Sequence, residues 1–367
     1  MKKQKILVIT NMYPSAENKS FGIFVKNQAD ALRKRGLTVD VVSIQNPAGG
    51  KIKVLAKYSA WLLKTVRVLL AQGKRYDIVH AHYVFPSGSL GLLFKRLFGT
   101  RLIVTSHGGD IDKMARKSPF IHQQTAKILA NADHVIAVGE ELHKTITEEF
   151  SVDKGRISII NMGVDRDVFH RRDKKAAKAN CNIADSEMPL LFVGNIIKQK
   201  GLLELVEAVS IAAESHPDTT LYIIGAEKDP AFKQELTDHV KLLDMENRVF
   251  FLGVRTQQEI AEWMSAAEVF ILPSHIEGFG LVALEAMACG TPVIGTEAGG
   301  LKHLLSNGAG EIVPVKNAAA LSKGIEELLS SPEKRNQQIL IGEKKAEEND
   351  QDRMLDRVMK VYFPTGG

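Results

Sequence analysis

Short apolar runs alternate with longer amphipathic stretches along the first half of the chain. The runs have the length and β-branched content of strands, and the stretches between them have helical spacing. Six strands are predicted, at Ile6–Thr10, Val39–Ile44, Asp77–Ala81, Arg101–Thr105, His134–Val138 and Ile157–Ile160. Five helices are predicted, at 22–35, 53–72, 87–98, 119–131 and 140–150. This alternation predicts a parallel sheet covered by helices on both faces.

The same pattern restarts after a polar stretch, residues 171–188, that contains few apolar positions and is predicted to be a linker. Six further strands are predicted, at Leu190–Val193, Thr220–Ile224, Val249–Leu252, Val269–Leu272, Pro292–Ile294 and Glu311–Val315. Six helices accompany them, at 201–215, 230–243, 256–266, 280–289, 317–330 and 333–348. We therefore expect a second doubly wound α/β domain.

At 367 residues the chain is long for one hydrophobic core, which agrees with two domains. We predict domains at 1–170 and 189–350, followed by a last helical segment at 351–367. Ligands of open α/β sheets bind at the carboxyl ends of the strands. Two such domains facing each other would form a ligand-binding cleft between them.

Charge is distributed unevenly between the two halves. The net charge of +5 combines 31 basic and 15 acidic residues in 1–180 with 17 basic and 28 acidic residues in 181–367. The basic half could therefore face an anionic surface or a phosphate-bearing acceptor. No aromatic stacking platform accompanies the basic residues, so nucleic acid is not an expected partner.

The most basic segment, residues 51–76, contains seven Lys or Arg residues and no acid. Apolar residues such as Leu55 and Leu62 alternate with the cations, as in an amphipathic helix that lies on an anionic membrane. The alternative is an ordinary sheet-covering helix with a solvated basic face. The apolar start of the chain has no following cleavage site, and no run has the length of a membrane span. We expect a cytoplasmic protein with two free thiols, peripheral at the inner face of the cell membrane.

Residues 274–300 combine two carboxylates with a glycine-rich turn. Glu277 and Glu285 stand eight residues apart, and Gly278, Phe279 and Gly280 lie between them at the start of an apolar helical run. A glycine-rich turn that opens a helix presents free backbone N–H groups to an anion. Two carboxylates beside it suit a ligand with both phosphate and hydroxyl groups, such as a nucleotide sugar.

This stretch resembles the donor-sugar motif of the retaining glycosyltransferases of family four, which adopt the GT-B fold. The Glu, seven residues, Glu signature of that family stands at Glu277 and Glu285, and the flanking GFG, EAMA, GTPVI and AGG segments also match. The resemblance covers essentially the whole chain. It implies an acceptor-binding first domain and a donor-binding second domain. It also implies that residues 351–367 form a helix crossing back to the first domain.

The resemblance also implies roles for the residues of the motif. Glu285 would accept hydrogen bonds from the ribose hydroxyls, and Glu277 would contact the hydroxyls of the transferred sugar. Backbone amides near the helix start would hold the diphosphate and the sugar, from Gly278, Phe279, Gly280, Leu281 and Val282.

A second element of the resemblance, residues 193–208, follows a predicted strand. Lys200 matches the lysine that the family uses to neutralise the donor diphosphate as charge develops on the leaving group. Asn195 stands where the family has arginine, and it supplies hydrogen bonds but no positive charge. Either Lys198 or another cation compensates, or the leaving group is stabilised less.

Further site residues are predicted from the same resemblance. His107 follows a strand and precedes two glycines, and it matches a histidine that lines the donor-sugar site. Asp110 and Tyr13 are predicted on the acceptor side, and Gly22 near the donor phosphate. Gly225 and Arg255 end two strands of the second domain, where the loops would flank the nucleotide base.

Several acidic and histidine pairs could suggest a metal site. His80 and His82 have no third ligand nearby in sequence, and the Asp-x-Asp pairs at 110/112 and 165/167 lie inside GT-B-like elements. We therefore expect no metal.

The predicted function is retaining transfer of a sugar, from a UDP- or GDP-sugar, to a saccharide or lipid-linked acceptor in cell-surface glycan synthesis. One alternative is a non-catalytic nucleotide-sugar-binding or scaffold protein, and Asn195 is its motivation. A phosphorylase on the same fold is another alternative, but no cofactor lysine for it is evident.

Overall fold

The protein is described by a computed structural model that covers residues 4–18, 21–47 and 50–364. The chain divides into two compact units, Met1–Met162 with Asp352–Gly367, and Gly163–Gln351. Six parallel strands form the sheet of the first unit, in the order β2-β1-β3-β4-β5-β6. They are β1 Lys5–Thr10, β2 Thr38–Ser43, β3 Ile78–His82, β4 Arg101–Ser106, β5 His134–Ala137 and β6 Ile157–Ile159.

Five helices of the first unit connect these strands, as the apolar pattern predicts. They are α1 Ile23–Lys34, α2 Lys51–Gln72, α3 Ser87–Phe98, α4 Pro119–Asn131 and α5 Glu140–Glu149. The central strand β1 pairs in parallel with β2 on one side and β3 on the other. Its residues Ile6, Leu7 and Ile9 are completely buried, as expected for a strand covered by helices on both faces.

The second unit contains another six-stranded parallel sheet, in the order β12-β11-β10-β7-β8-β9. Its strands are β7 Met188–Val193, β8 Thr219–Ile224, β9 Val249–Gly253, β10 Val269–Leu272, β11 Val293–Thr296 and β12 Glu311–Val313. Its helices are α6 Lys174–Asn180, α7 Leu202–Ser215, α8 Pro230–Leu242, α9 Gln257–Ala266, α10 Leu281–Ala288, α11 Gly300–Leu305, α12 Ala318–Ser330 and α13 Pro332–Glu348.

Residues 171–188 do not form the linker that the sequence predicts. They contain α6 and pack into the second unit. The side chain of Asp173 accepts a hydrogen bond from the Ala176 N–H and so begins the helix. Ala177 is completely buried in the hydrophobic core of the unit. The Nζ of Lys178 donates to the Glu187 carbonyl at 2.7 Å. The second unit therefore begins at Gly163, and not near residue 189.

The last helix, α14 Gln351–Tyr362, packs in the first unit and not in the second. Its residues Leu355, Val358 and Tyr362 are buried in the same cluster as Ile6 and Val8 of β1. Arg35 also forms ion pairs with Asp352 and Asp356 at the surface. Helix α14 therefore belongs to the same hydrophobic core as β1.

Candidate functional site

Lys200 and Glu277 form an ion pair at the carboxyl ends of β7 and β10. Lys200 Nζ lies 2.7 Å from Glu277 Oε2 and 3.4 Å from Ser274 Oγ. Both charged side chains are mostly buried, with 22% and 17% of their surface exposed. The two residues are 77 positions apart, so the sheet brings them together. The pair places a cation and a carboxylate at the edge where α/β proteins bind ligands.

Two further contacts hold the loops that carry this pair. The His275 N–H donates to the Gln199 carbonyl at 2.9 Å, and His275 Nε2 lies 3.0 Å from Glu204 Oε1. Gly201 adopts φ +69°, and a Cβ there would lie 2.0 Å from the Pro273 carbonyl oxygen. Only glycine permits this approach, which sets the position of Lys200 beside Glu277.

The predicted phosphate-binding turn begins α10. Gly280 is the N-cap of that helix at φ +89°, and no side chain caps the helix. The first amides of α10, including those of Leu281 and Val282, therefore remain available to an anion. The Gly278 N–H is different, because it already donates to Glu277 Oε1 at 3.2 Å. Phe279 is half-buried and packs against the core of the unit.

Glu285 lies in the middle of α10 and is half-buried. Its carboxyl group forms no hydrogen bond or ion pair with any residue that the structure describes. Burial raises its pKa to about 8, because the charged form loses contact with water. An unpartnered carboxyl group of this kind is ready to accept hydrogen bonds from ligand hydroxyls.

The other predicted donor-site residues of the second unit occupy neighbouring loops. Asn195 lies after β7 and is exposed. Gly225 lies after β8 and approaches Gly194 so closely that a Cβ at residue 225 would lie 1.7 Å from the Gly194 carbonyl oxygen. Arg255 follows β9 and lies 4.0 Å from Glu259. Lys198, the candidate for compensating Asn195, is 65% exposed and pairs with Glu235 at 3.4 Å. It is not directed to Glu277 as Lys200 is.

In the first unit, His107 lies just after β4 among aromatic rings. Its Nε2 is 3.1 Å from His82 Nδ1, and its ring centroid is 4.8 Å from those of both Phe24 and Tyr83. Burial lowers its pKa to about 3, so the ring is neutral at physiological pH. A neutral imidazole here can hydrogen-bond to a ligand but does not supply charge.

Gly22 and Tyr13 are the predicted site residues that follow the first strand. Gly22 is buried at the start of α1, where no side chain caps the helix. Tyr13 is partly buried against the core cluster that contains Val25 and Leu32. Their predicted contacts with donor and acceptor remain predictions.

Asp110 has a different position from the one predicted, because it is 2% exposed and its oxygens are already bonded. It accepts hydrogen bonds from the Val84 N–H at 2.8 Å, Ser106 Oγ at 2.9 Å and the His107 N–H at 3.1 Å. The Asp110 side chain therefore holds the backbone of His107 in place. Sequence spacing alone could not distinguish this buried role from contact with an acceptor hydroxyl.

The acidic and histidine pairs do not converge. Within residues 4–18, 21–47 and 50–364, no group of three or more His, Cys, Asp or Glu side chains has the arrangement of a metal site. His80 bonds to Tyr362 and Thr105, and Asp165 accepts from the Asp167 N–H at 3.1 Å.

A cavity of about 490 Å³ lies at the opposite edge of the second sheet, at the amino ends of β10 and β11. Its cations have partners within the fold: Arg335 with the Leu329 carbonyl, Arg172 with the Val168 carbonyl, and Lys174 with Glu268. Helix α12 has its C-terminus here. Cations are expected near the C-terminus of a helix because they interact favourably with its last carbonyl groups. The cavity therefore gives no indication of an anionic ligand.

The architecture places the chain in the GT-B fold class. The sucrose-phosphate synthase structure from Thermosynechococcus elongatus superposes with a TM-score of 0.83, at 24% identity, over 98% of both chains. At this identity the likeness concerns the fold alone. The two doubly wound parallel sheets predicted from the apolar pattern are thus confirmed.

Sequence relatives define the family within this class. Residues 22–168 match the profile of Glycosyltransferase Family 4, and residues 173–345 match that of Glycosyl transferases group 1. The D-inositol 3-phosphate glycosyltransferase of Mycobacteroides abscessus is 30% identical over 84% of this chain and 76% of its own. The N-acetyl-alpha-D-glucosaminyl L-malate synthase of Bacillus anthracis is 32% identical over 72% of this chain and 68% of its own. The chain belongs to the family of glycosyltransferases that these two profiles and these relatives define.

Proposed function

We propose that this glycosyltransferase moves a sugar from a nucleotide-diphosphate sugar to an acceptor hydroxyl, with retention at the anomeric carbon. The observation that carries the proposal is the Lys200–Glu277 pair beside the uncapped start of α10. Lys200 and the α10 amides supply positive charge where the leaving diphosphate becomes more negative. The unpartnered Glu285 supplies an acceptor for the ribose hydroxyls.

Two roles in this proposal need no metal. Neutralisation of the diphosphate is assigned to Lys200 and the helix start, and orientation of the sugar to Glu277 and His107. Transfer is therefore expected to be unchanged by a chelator. Loss of turnover with a chelator, restored by a divalent cation, would reject this part of the proposal.

A thermal-shift screen against UDP-, GDP- and ADP-sugars tests the donor class. A ligand that binds only the native state raises stability by about 2.7 kcal/mol at a concentration of 100 Kd. One nucleotide family is expected to raise the melting temperature, and Glu285→Gln is expected to reduce that rise. Absence of any shift would reject the donor site. A shift with no turnover, over a broad acceptor panel, would favour a non-catalytic binding protein.

We also propose that α2 holds the acceptor-binding unit on an anionic membrane, which supports a lipid-linked acceptor. The helix has three lengthwise faces, because residues that are three, four, seven or eight positions apart lie on the same side of a helix. One face packs on the unit, with Trp61, Thr65 and Leu69 buried. A second is apolar but exposed, at Ile52 (85%), Leu55 (71%), Leu62 (45%) and Leu70 (79%). The third carries Lys53, Lys57, Lys64 and Arg67.

The exposed apolar face and the cationic face lie side by side on α2. This arrangement suits the surface of a bilayer, where apolar side chains enter the acyl boundary and lysines meet lipid phosphates. No helix in the described part of the chain combines the length and the hydrophobicity of a membrane span. The two relatives are named for D-inositol 3-phosphate and for a glucosaminyl L-malate, so a small anionic acceptor is the competing candidate.

Vesicle flotation tests the membrane proposal. The wild type is expected to float with phosphatidylserine-containing vesicles and not with neutral ones. Lys57→Gln, Lys64→Gln and Arg67→Gln together are expected to reduce binding about 100-fold, at about 1 kcal/mol for each cation near the surface. Leu55→Ser with Leu70→Ser is expected to weaken it independently of salt.

The matched control neutralises three exposed lysines elsewhere on the same unit, Lys127, Lys144 and Lys154. This variant has the same net charge as the α2 variant and is expected to float like the wild type. Equal loss in both variants would mean that net charge, and not α2, determines binding.

A further inference from the structure

A column of buried rings connects the last helix of the chain to His107. His80 and His82 point to the same face of β3, and their ring centroids are 4.3 Å apart. They are 0% and 1% exposed. Buried polar side chains are normally hydrogen-bonded, so the partners of these two rings indicate what the rings do.

Each end of the column is fixed by hydrogen bonds. His80 Nδ1 lies 2.6 Å from the Tyr362 hydroxyl of α14, and its Nε2 lies 2.7 Å from Thr105 Oγ1 of β4. His82 Nδ1 lies 3.1 Å from His107 Nε2. The rings of His82 and His107 are nearly parallel, at 19° and 5.4 Å between centroids.

The rings are neutral, which gives the bond between His82 and His107 a chemical consequence. Burial lowers the pKa of His80 and His107 to about 3, and that of His82 well below its ordinary value. A neutral imidazole has one nitrogen that donates and one that accepts. Whichever of the two nitrogens carries the shared proton, the bond determines the role of the remaining nitrogen of His107, Nδ1.

Two aromatic side chains and one carboxylate also surround His107 in the described part of the chain. Phe24 and Tyr83 pack against the ring with their own rings tilted to it by 49° and 43°, and Asp110 accepts from the backbone N–H and not from the imidazole. His82 is therefore the polar side chain that orients the ring, among the residues that the structure describes. His107 Nδ1 has no hydrogen-bond partner among them.

We propose that His82 is a positioning residue that holds His107 in one tautomer and one ring orientation, so that Nδ1 meets the sugar with a defined hydrogen-bonding role. The inference rests on the proposed function in one respect, the assignment of His107 to the donor-sugar site. His80 packs against the His82 ring and is itself hydrogen-bonded to Tyr362, which links the packing of α14 to the orientation of His107.

The first test measures the tautomer without any turnover. Long-range ¹H–¹⁵N spectra of histidine-labelled protein distinguish the two neutral tautomers, and a His107→Gln spectrum identifies the His107 signals. The wild type is expected to show one tautomer. His82→Asn retains an amide near the Nδ1 position and is expected to keep that tautomer. His82→Leu, which has no polar group, is expected to give a mixture.

The second test is a double-mutant cycle on transfer. His82→Leu is expected to lower kcat about 10- to 100-fold while the KM for the donor changes less than about threefold, and His82→Asn is expected to recover most of the loss. In a His107→Gln background, His82→Leu should cause no further loss, because its effect acts through His107. Melting temperatures of all variants separate this effect from misfolding.

Two outcomes would overturn the inference. A single His107 tautomer in His82→Leu, or additive losses in the double mutant, would mean that His82 acts only on folding. If the tautomer changes as expected but His107→Gln turns over normally, His82 still orients His107, and it is the assignment of His107 to the sugar site that fails.

Discussion

Lys200→Met is expected to lower kcat for sugar transfer about 10²- to 10³-fold, the loss typical of removing one preorganised group that stabilises developing charge. The Nζ of Lys200 is held 2.7 Å from Glu277 at the end of the second sheet, with most of its side chain buried. Such a cation requires little reorganisation when charge develops on a leaving diphosphate. Asn195 stands where the family has arginine and brings no charge, so this position cannot compensate for the loss of Lys200.

Lys198→Met is the matched control, because it removes the same charge two residues away in the same turn. Lys198 is exposed and pairs with Glu235, so its loss is expected to change kcat less than about threefold. Lys200→Met also leaves Glu277 without its cation. The variant Lys200→Met with Glu277→Gln removes both charges, and its melting temperature separates damage to the fold from loss of catalysis. Equal effects of Lys198→Met and Lys200→Met would contradict the assignment.

Glu285→Gln is expected to stabilise the free protein at pH 8 and to weaken donor binding at the same pH. The pKa of Glu285 is raised from an ordinary value of 4.5 to about 8, because burial disfavours the charged form. The native state therefore retains the proton between these two pH values, whereas the unfolded state loses it. The contribution of this group to stability is fully present below pH 4.5 and declines as pH rises through 8.

Urea unfolding at several pH values measures the stability part of this prediction. The variant should gain on the wild type between about pH 5 and 8, by on the order of 1–2 kcal/mol for a half-buried group. A difference that is independent of pH would contradict an unpartnered buried carboxyl group.

Calorimetry measures the predicted effect of pH on donor binding. A nucleotide sugar is the suitable ligand, because its diphosphate does not titrate in this pH range. Ribose hydroxyls donate to the ionised carboxylate, so binding should release a proton below pH 8. Affinity should then rise with pH, by at most tenfold per pH unit, and become constant above about pH 8. Glu285→Gln should bind more weakly and without pH dependence. Affinity of the wild type that is constant from pH 6 to 8 would contradict the role of Glu285.

Much of the fold could be predicted from the spacing of apolar residues, because parallel strands covered on both faces are nearly continuous apolar runs. Two helices were missed for physical reasons. Helix α6 is mostly polar and buries little beyond Ala177 and Lys178, so its sequence resembles a linker. Helix α11 begins at Gly300 directly after another glycine, a pair that indicates a turn.

The site could be predicted in outline but not in its contacts. Motif spacing placed Lys200 and Glu277 near one ligand, but their direct ion pair depends on strands that meet only in the sheet. The buried position of Asp110 depends on the Val84 N–H, 26 residues earlier, and no local pattern predicts it. His82 was noted only as half of a histidine pair. Its contact with His107 also joins neighbouring strands, β3 and β4, and so is a product of the sheet.

The most direct test of donor use is an NMR time course with the nucleotide sugar selected by the thermal-shift screen. The wild type is expected to consume that sugar and release its nucleoside diphosphate. The transferred or hydrolysed sugar should retain its anomeric configuration, and Lys200→Met should turn over about 10²- to 10³-fold more slowly. Consumption that proceeds equally in Lys200→Met, or release of an inverted sugar, would contradict the account of this site.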